Sequence, residues 1–241
     1  MSLKGKNILI TGAARRLGRS MAIAVAHTGA HVFLHHGHSP KEAQATLADI
    51  EAFGGKTTII QAELDSPEET SQLIKQAASE SFLYALVNNA AIFETKDLNE
   101  TDLATWNRHL NINLTAPFLL CKEFANQIPD GQSGRIVNIL DWRALRPGPD
   151  HIAYTISKAA LAALTRSLAT ALAPNITVNG LALGAILPPS AGEIPIDLLS
   201  TVPAKRWADI NEVCATLLFL LDGPTYITGE IIHVDGGRHL V

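Results

Sequence analysis

Short apolar runs alternate along this chain with longer stretches whose apolar positions recur at helical spacing. Residues 7–10 (NILI) read as a buried strand, and 17–29 (LGRSMAIAVAHTG) as a helix closing at Gly29. Strand patterns recur at 31–36, 56–63, 84–90, 134–140, 176–183 and 230–237. Between them lie helical patterns at 39–53, about 66–79, 103–127, 151–172 and 210–221. Ser39-Pro40 and Ser66-Pro67 mark two helix starts, because serine suits the N-cap and proline the first turn. Buried strands alternating with helices predict a parallel sheet covered on both faces. The expectation is an α/β fold, a single doubly wound domain over residues 1–241 with about seven strands. The irregular stretch 184–209 holds four prolines and follows a strand's carboxyl end, so it reads as a substrate lid.

Composition narrows the class. Hydrophobic residues make up 47% of the 241, enough for one full core. The net charge is −4 and the basic residues form no long cluster, so charge gives no sign of nucleic-acid binding. Cys121 and Cys214 sit in apolar helical patterns and read as small buried hydrophobes. The first residues lack a signal-peptide pattern, and no run nears the ~20 apolar residues of a membrane span. A soluble, reducing, cytoplasmic setting is expected, with no membrane partner.

Candidate chemistry gathers where strands end. ITGAARRLGRS joins the first strand to the first helix, where a doubly wound sheet holds ligand phosphates. Gly12 permits a tight turn and Gly18 a close helix approach, although G-x-G-x-x-G is absent. After the second strand no acid stands between Phe33 and Pro40; His35, His36, His38 and Ser39 are there instead, with Arg15 earlier in the chain. An acid would favour NAD, whereas these donors favour the 2′-phosphate of NADP(H), unless the histidines are plain loop residues. No carboxylate or cysteine accompanies them, so no metal site is expected. Asn88 suits a structural role as well as a ligand role. Phe93, just past a strand end, can stack on a flat ring or pack in the core. Tyr154 and Lys158 share a helix face at i,i+4, and a nearby ammonium would favour the phenolate.

These residues, taken together, resemble a family. Thr11-Gly12-x3-Arg16-x-Gly18, Asn88-Asn89-Ala90, Asn113, Tyr154-x-x-x-Lys158 and Asp235-Gly236-Gly237 follow the order and spacing of the short-chain dehydrogenases/reductases. The resemblance runs from about residue 5 to 240. Arg16 stands where a glycine is usual, Asp141 where a serine is usual, and Phe93 follows the Asn-Asn-Ala turn. With these departures the chain looks like the pteridine reductase branch, which includes dihydromonapterin and dihydrofolate reductases of this fold.

The resemblance implies an NADPH-dependent reduction of a pteridine. Asp141, Tyr154, Lys158 and Asn113 would be catalytic, Asn113 holding a water that links Lys158 to solvent. Arg16, Phe93, Asp141 and Tyr154 would meet the pterin, with Phe93 stacked on it. Cofactor contacts, mainly within 5–140, would come from Gly12, Arg15, Arg16, Leu17, Gly18, His36, Gly37, His38, Ser39, Glu63, Leu64, Asn89, Ala90 and Ala91. Tyr154, Lys158, Gly184 and Ile186 would add to them, Lys158 at the nicotinamide ribose; active site and substrate loop would span 138–209. Glu63 falls where the family usually has an adenine-binding aspartate, and Asp65 is close by. His38 takes the place of a basic residue, so charge there depends on pH. Leu183-Gly184 replaces a proline-glycine. Helices 103–127 and 151–172 would pair subunits, implying a homo-oligomer, a tetramer by family habit.

Aspartate in place of serine has a chemical reason within this resemblance. A serine hydroxyl can donate to a carbonyl oxygen, whereas an ionised carboxylate only accepts and would repel an oxyanion. A pterin offers ring N–H and amino donors, and the bond reduced is C=N, whose nitrogen needs a proton. The competing readings are a carbonyl or 3-ketoacyl-thioester reductase of the same superfamily, and a non-catalytic NADP(H)-sensing protein.

Overall fold

The computed structural model describes residues 3–188 and 198–241. The strands are β1 (Asn7–Ile10), β2 (His31–His36), β3 (Lys56–Gln61), β4 (Ala85–Asn88), β5 (Gly134–Asp141), β6 (Ile176–Leu183) and β7 (Ile231–Val234). The helices are α1 (Arg16–His27), α2 (Pro40–Ala52), α3 (Pro67–Ala77), α4 (Leu103–Leu110), α5 (Ala116–Asn126), α6 (Ile152–Ala171) and α7 (Ile210–Asp222). The strands form one parallel sheet in the order β3-β2-β1-β4-β5-β6-β7. This is the doubly wound sheet expected from the pattern.

Alternation along each strand explains why both faces are covered. In β1, Ile8 and Ile10 join the core with Met21, Val25 and Leu217 of α1 and α7, while Leu9 packs on the other side with Leu73 and Phe124 of α3 and α5. A smaller cluster joins Leu140 and Ala182 to Leu161 and Ala162 of α6. A buried polar chain crosses this packing. Asn88 Nδ2 donates to Asn138 Oδ1 at 2.8 Å, and Asn138 Nδ2 donates to Thr165 Oγ1 at 2.9 Å. Asn88 is therefore structural, pinning β4 to β5 and α6. Cys121 and Cys214 are free and buried, and burial pushes their thiols up to about 12 and about 11.

Three local differences from the sequence pattern have physical causes. Ser66 caps α3 by accepting from the Glu69 N–H, but Ser39 makes no side-chain cap bond. The pattern read as one helix over 103–127 is two helices joined by a π turn at Asn111–Thr115. Pro117 has no N–H for the carbonyl four residues back, that of Asn113, so an unbroken α-helix would be strained there. β4 stops at Asn88, because Thr11 Oγ1 draws the Asn89 and Ala90 N–H groups toward β1, each at 3.0 Å.

Much of the expected lid, residues 189–197, lies outside the described residues. No helix among those described is long and apolar enough to cross a membrane.

Candidate active site

In this strand order the direction of winding reverses between β1 and β4, and the crevice beyond their carboxyl ends is where such sheets bind ligands. One wall of that crevice is the β1–α1 turn. Gly12 has φ +63°, and a Cβ there would stand 3.0 Å from Ala90 Cα. A Cβ on Gly18 would lie 2.1 Å from the Gly12 carbonyl oxygen, so only glycine lets α1 approach this closely. Asn89 Nδ2 braces the turn, donating to the Thr11 and Gly12 carbonyls at 2.8 and 3.1 Å. Arg15 caps α1 with no side-chain bond, leaving the first-turn N–H groups without a side-chain partner. Leu17 packs against the core behind them. This is a cradle with the space and donors that a pyrophosphate needs.

Arg16 takes the left-handed conformation, φ +53°, at the place of the family's glycine. Its guanidinium reaches across to the Pro188 carbonyl at 2.6 Å, linking the turn to the segment after β6. Gly184 begins that segment. A Cβ there would meet Asp235 Cα at 2.6 Å, so the glycine preserves the approach of β7's end. Ile186, two residues on, is buried in the core below.

The histidines after β2 separate into different roles. His35 is a core residue, not a cofactor donor: its Nδ1 accepts from the Gly12 N–H at 3.1 Å, which makes Nε2 the donor to the Ala62 carbonyl at 3.0 Å. Burial lowers its pKa to about 4. His36 is also buried, with Nδ1 beside the Gly37 carbonyl. His38 is exposed and pairs with Glu63 at 3.0 Å. Glu63, His38, Gly37 and Ser39 thus share one edge of the crevice, near buried Leu64. Ala91 is exposed past β4. Asp65 is tied to Asn111 Nδ2 at 2.9 Å.

The other wall carries the titratable side chains. Asp141 is the last residue of β5 and Tyr154 lies in the first turn of α6; the phenol O–H donates to Asp141 Oδ2 at 3.2 Å. Lys158 is buried one turn further on and donates to the Ile139 carbonyl at 2.7 Å. Burial lowers its pKa to about 8, partly offset by Asp141. Burial raises Asp141 too, opposed by the Arg143 N–H and the charges of Arg143 and Lys158. Tyr154 is pushed well up, by burial first and then by Asp141. The expectation that Lys158 would draw the phenol toward phenolate therefore fails in this geometry. Burial and the carboxylate outweigh the opposing charge of Arg143, and Tyr154 holds its proton.

Asn113 sits in the π turn, fully buried. Its Oδ1 accepts from the Ile92 N–H at 2.9 Å, and its Nδ2 donates to the Ile92 carbonyl and to Ser157 Oγ, both at 3.0 Å. Its amide N–H groups thereby fasten the strand-end loop to α6. That loop projects Phe93, which is 53% exposed, so the core-packing reading of this ring is excluded. The ring meets Tyr154 edge-on at 4.7 Å and His151 at 4.5 Å.

Two residues here had no signal in the sequence. Arg143 donates its backbone N–H to Asp141 Oδ1 and its Nη2 to Asp150 Oδ2, both at 2.9 Å. His151 caps α6 in the left-handed conformation, φ +52°, and its Nε2 lies 3.3 Å from Asp150. A chain Asp141–Arg143–Asp150–His151 thus flanks the phenol. Neither residue belongs to a spacing motif; only the fold of residues 141–151 joins them.

Known proteins share this fold and much of this sequence. The family model described as enoyl-(acyl carrier protein) reductase matches residues 12–239. A 3-oxoacyl-[acyl-carrier-protein] reductase of Synechocystis is 34% identical over 241 residues, covering 98% of each chain. Among solved structures, FolM alternative dihydrofolate reductase 1 from Brucella canis, complexed with NADP, is 35% identical with a TM-score of 0.91, covering 97% of this chain and 94% of that one. A blue fluorescent protein from a metagenomic library, in complex with NADPH, is 32% identical with a TM-score of 0.91 and covers 99% of each chain.

Proposed function

This chain belongs to the short-chain dehydrogenase/reductase family, and we propose that within it the protein is an NADPH-dependent reductase of a pteridine. The observation that carries the reading is the Tyr154–Asp141 hydrogen bond of 3.2 Å, with the exposed Phe93 ring lying against the same phenol. A carboxylate accepts from a donor-rich heterocycle but opposes an oxyanion. The likeness to an alternative dihydrofolate reductase supports the same substrate class.

NADP(H) is the cofactor, as in the solved relatives. Its pyrophosphate would fit the cradle of Gly12, Gly18 and the α1 N-terminus, and its 2′-phosphate would be met by Arg15, His38 and Ser39. When bound, it supplies the hydride. The chain's residues hold and move the proton. Tyr154 donates from its O–H, and Asp141, with its raised pKa, accepts from the heterocycle's N–H groups or resupplies the phenol. Lys158 keeps a cation 5.9 Å from the Tyr154 ring centre at neutral pH and would bond the nicotinamide ribose. Arg16 and Phe93 orient the substrate, Phe93 by stacking. Asn113 positions the loop bearing Phe93, and the π turn around it is where a water linked to Lys158 would sit. Exposed Phe118 and Ile156, on α5 and α6, are faces by which copies would pair into a homo-oligomer, a tetramer by family habit.

A second reading, reduction of a 3-ketoacyl thioester, is favoured by the Synechocystis relative. NADPH oxidation measured with a dihydropterin, dihydrofolate, a 3-ketoacyl thioester and a simple ketone separates the two. Pterin turnover far above ketone turnover is expected. Turnover of the thioester alone would overturn the proposal, and binding of NADPH with no turnover of any would leave only a sensing role.

A further inference from the structure

Beside Asp141 a second cleft opens, of about 760 Å³, with Trp142, Arg146, Lys205 and Arg238 in its wall. That volume lies in the ~300–1,000 Å³ range of small-molecule sites. Trp142 directly follows Asp141, and the charges of Asp141, Asp150 and Arg143 all act on Arg238, so the cleft adjoins the proton-handling residues.

The cations of this region divide into two groups. Arg206 is paired by two bonds to Glu212, at 2.7 and 2.8 Å, and Arg143 is held by Asp150. Among the described residues no carboxylate pairs with Arg146, Lys205 or Arg238. Their recorded bonds are to neutral oxygens or rings. Lys205 donates to the Ser200 carbonyl, Arg146 Nη1 reaches the Arg238 carbonyl at 3.5 Å, and the Arg238 guanidinium lies 4.4 Å from the Trp142 ring centre. The ring holds Arg238 in place without neutralising it. Lys205 has φ +55°, a conformation non-glycine residues keep only where the surroundings enforce it. In a chain of net charge −4, three cations around one concavity with no ion-pair partner among the described residues, Arg238 feeling Asp141, Asp150 and Asp235 only at longer range, form a local exception.

We propose that this cleft is a subsite for an anionic tail of the substrate, a carboxylate-bearing chain such as a glutamate carried by the reduced ring. The proposal rests on the pteridine reading and specifies it: the ring lies by Phe93 and Tyr154, and the acidic tail lies over Trp142 between Arg146, Lys205 and Arg238. An unconjugated pterin with a short hydroxylated side chain would leave the cleft empty.

The test compares wild type with the double variant Arg146→Gln/Lys205→Gln, both reading the same unfolding temperature. KM and kcat are measured for dihydrofolate and for an unconjugated dihydropterin. The variant should raise KM for dihydrofolate about tenfold at low salt, equal to about 1.4 kcal/mol. It should leave kcat, and both constants for the unconjugated pterin, unchanged. High salt should shrink the difference, because the contacts are partly exposed. Equal changes for both substrates, no change, or reduction of the unconjugated pterin alone would overturn the proposal. If neither pterin is reduced, the pteridine reading fails, and the cleft is then judged by calorimetric titration with p-aminobenzoylglutamate. Binding to wild type that the double variant loses would uphold the anion subsite, and binding that is absent or equal in both would end it.

Discussion

His35 and Lys158 are both buried titratable side chains at the carboxyl edge of one sheet, and burial moves the pKa of each downward, to about 4 and about 8. The outcomes differ. His35 is neutral at any ordinary pH, with both ring nitrogens bonded to backbone, so it acts as a rigid brace from β2 to the Gly12 turn and to the end of β3. Lys158 is left within reach of neutrality, in the same buried corner as Asp141, whose own pKa is raised. Desolvation alone does not make a catalytic group. Where every polar atom is satisfied in the neutral form, burial silences the group. Where opposite charges share the burial, it brings their pKa values toward working pH.

The contrast is sharpest for Tyr154. Tyr154→Phe should remove the proton donor and lower turnover by roughly 10²–10⁴-fold, with NADPH affinity nearly intact. Rate measured where hydride transfer limits turnover, together with a cofactor titration, checks this. Retention of more than half the rate would end the assigned role.

The two buried groups should also mark stability in different pH windows, each making the fold more stable as pH rises. Lys158 has a folded pKa below its ordinary 10.5, so its burial opposes folding at neutral pH, and this cost fades as pH rises from about 8 to 10.5. Lys158→Met should therefore abolish activity yet stabilise the fold at pH 7, by on the order of 3 kcal/mol at most. His35 has a folded pKa of about 4 against an ordinary 6.5, so its contribution is present above 6.5 and is lost as pH falls through 4. Wild type should lose on the order of 3 kcal/mol over that window from this residue, and His35→Gln should flatten the slope. Urea unfolding at several pH values reads both effects.

Asp141→Ser should lower pterin turnover more than tenfold, since an unmet buried donor costs about 1–3 kcal/mol. Ketone reduction should suffer less. The arginine beside the carboxylate gives a finer test. Arg143 holds the Asp141 pKa down against burial, so Arg143→Gln should let it rise further. The protonated acid would then persist to higher pH, and the alkaline limb of the rate profile should move up. An unmoved limb would assign Arg143 to structure alone.

The smallest expected effect lies at the other wall. Arg15, His38 and Ser39 should give NADPH at least a tenfold advantage over NADH in kcat/KM, about 1.4 kcal/mol. Equal constants for the two cofactors would remove the 2′-phosphate from that edge.

The local chemistry of this molecule was largely legible. Strand runs such as residues 7–10 and 134–140, the Ser66-Pro67 start, the glycines at 12 and 18, and the i,i+4 pair of Tyr154 and Lys158 each depend on near neighbours or on a fixed period, and each element is present. The Asp141–Tyr154 contact was readable only through the resemblance, because the two stand thirteen positions apart, one ending a strand and the other in a helix. Less visible was the break at Asn111–Thr115, although Pro117 was its signal.

The sequence by itself therefore determined the doubly wound sheet, the glycine-built turn and the identity of the acid, phenol and ammonium. The sheet, the turn and the phenol–ammonium pair follow from periodicity, backbone sterics and side-chain chemistry, which act over a few residues, and the acid from the family resemblance. Only the tertiary structure decided which histidine is silent, that Tyr154 keeps its proton while Lys158 approaches neutrality, and that Arg143 and His151 flank the phenol. Desolvation and Coulomb interaction depend on distances between segments far apart in the chain, such as His35 to Gly12 and Lys158 to Ile139. No spacing along a linear sequence encodes those distances until the sheet has brought the strand ends together.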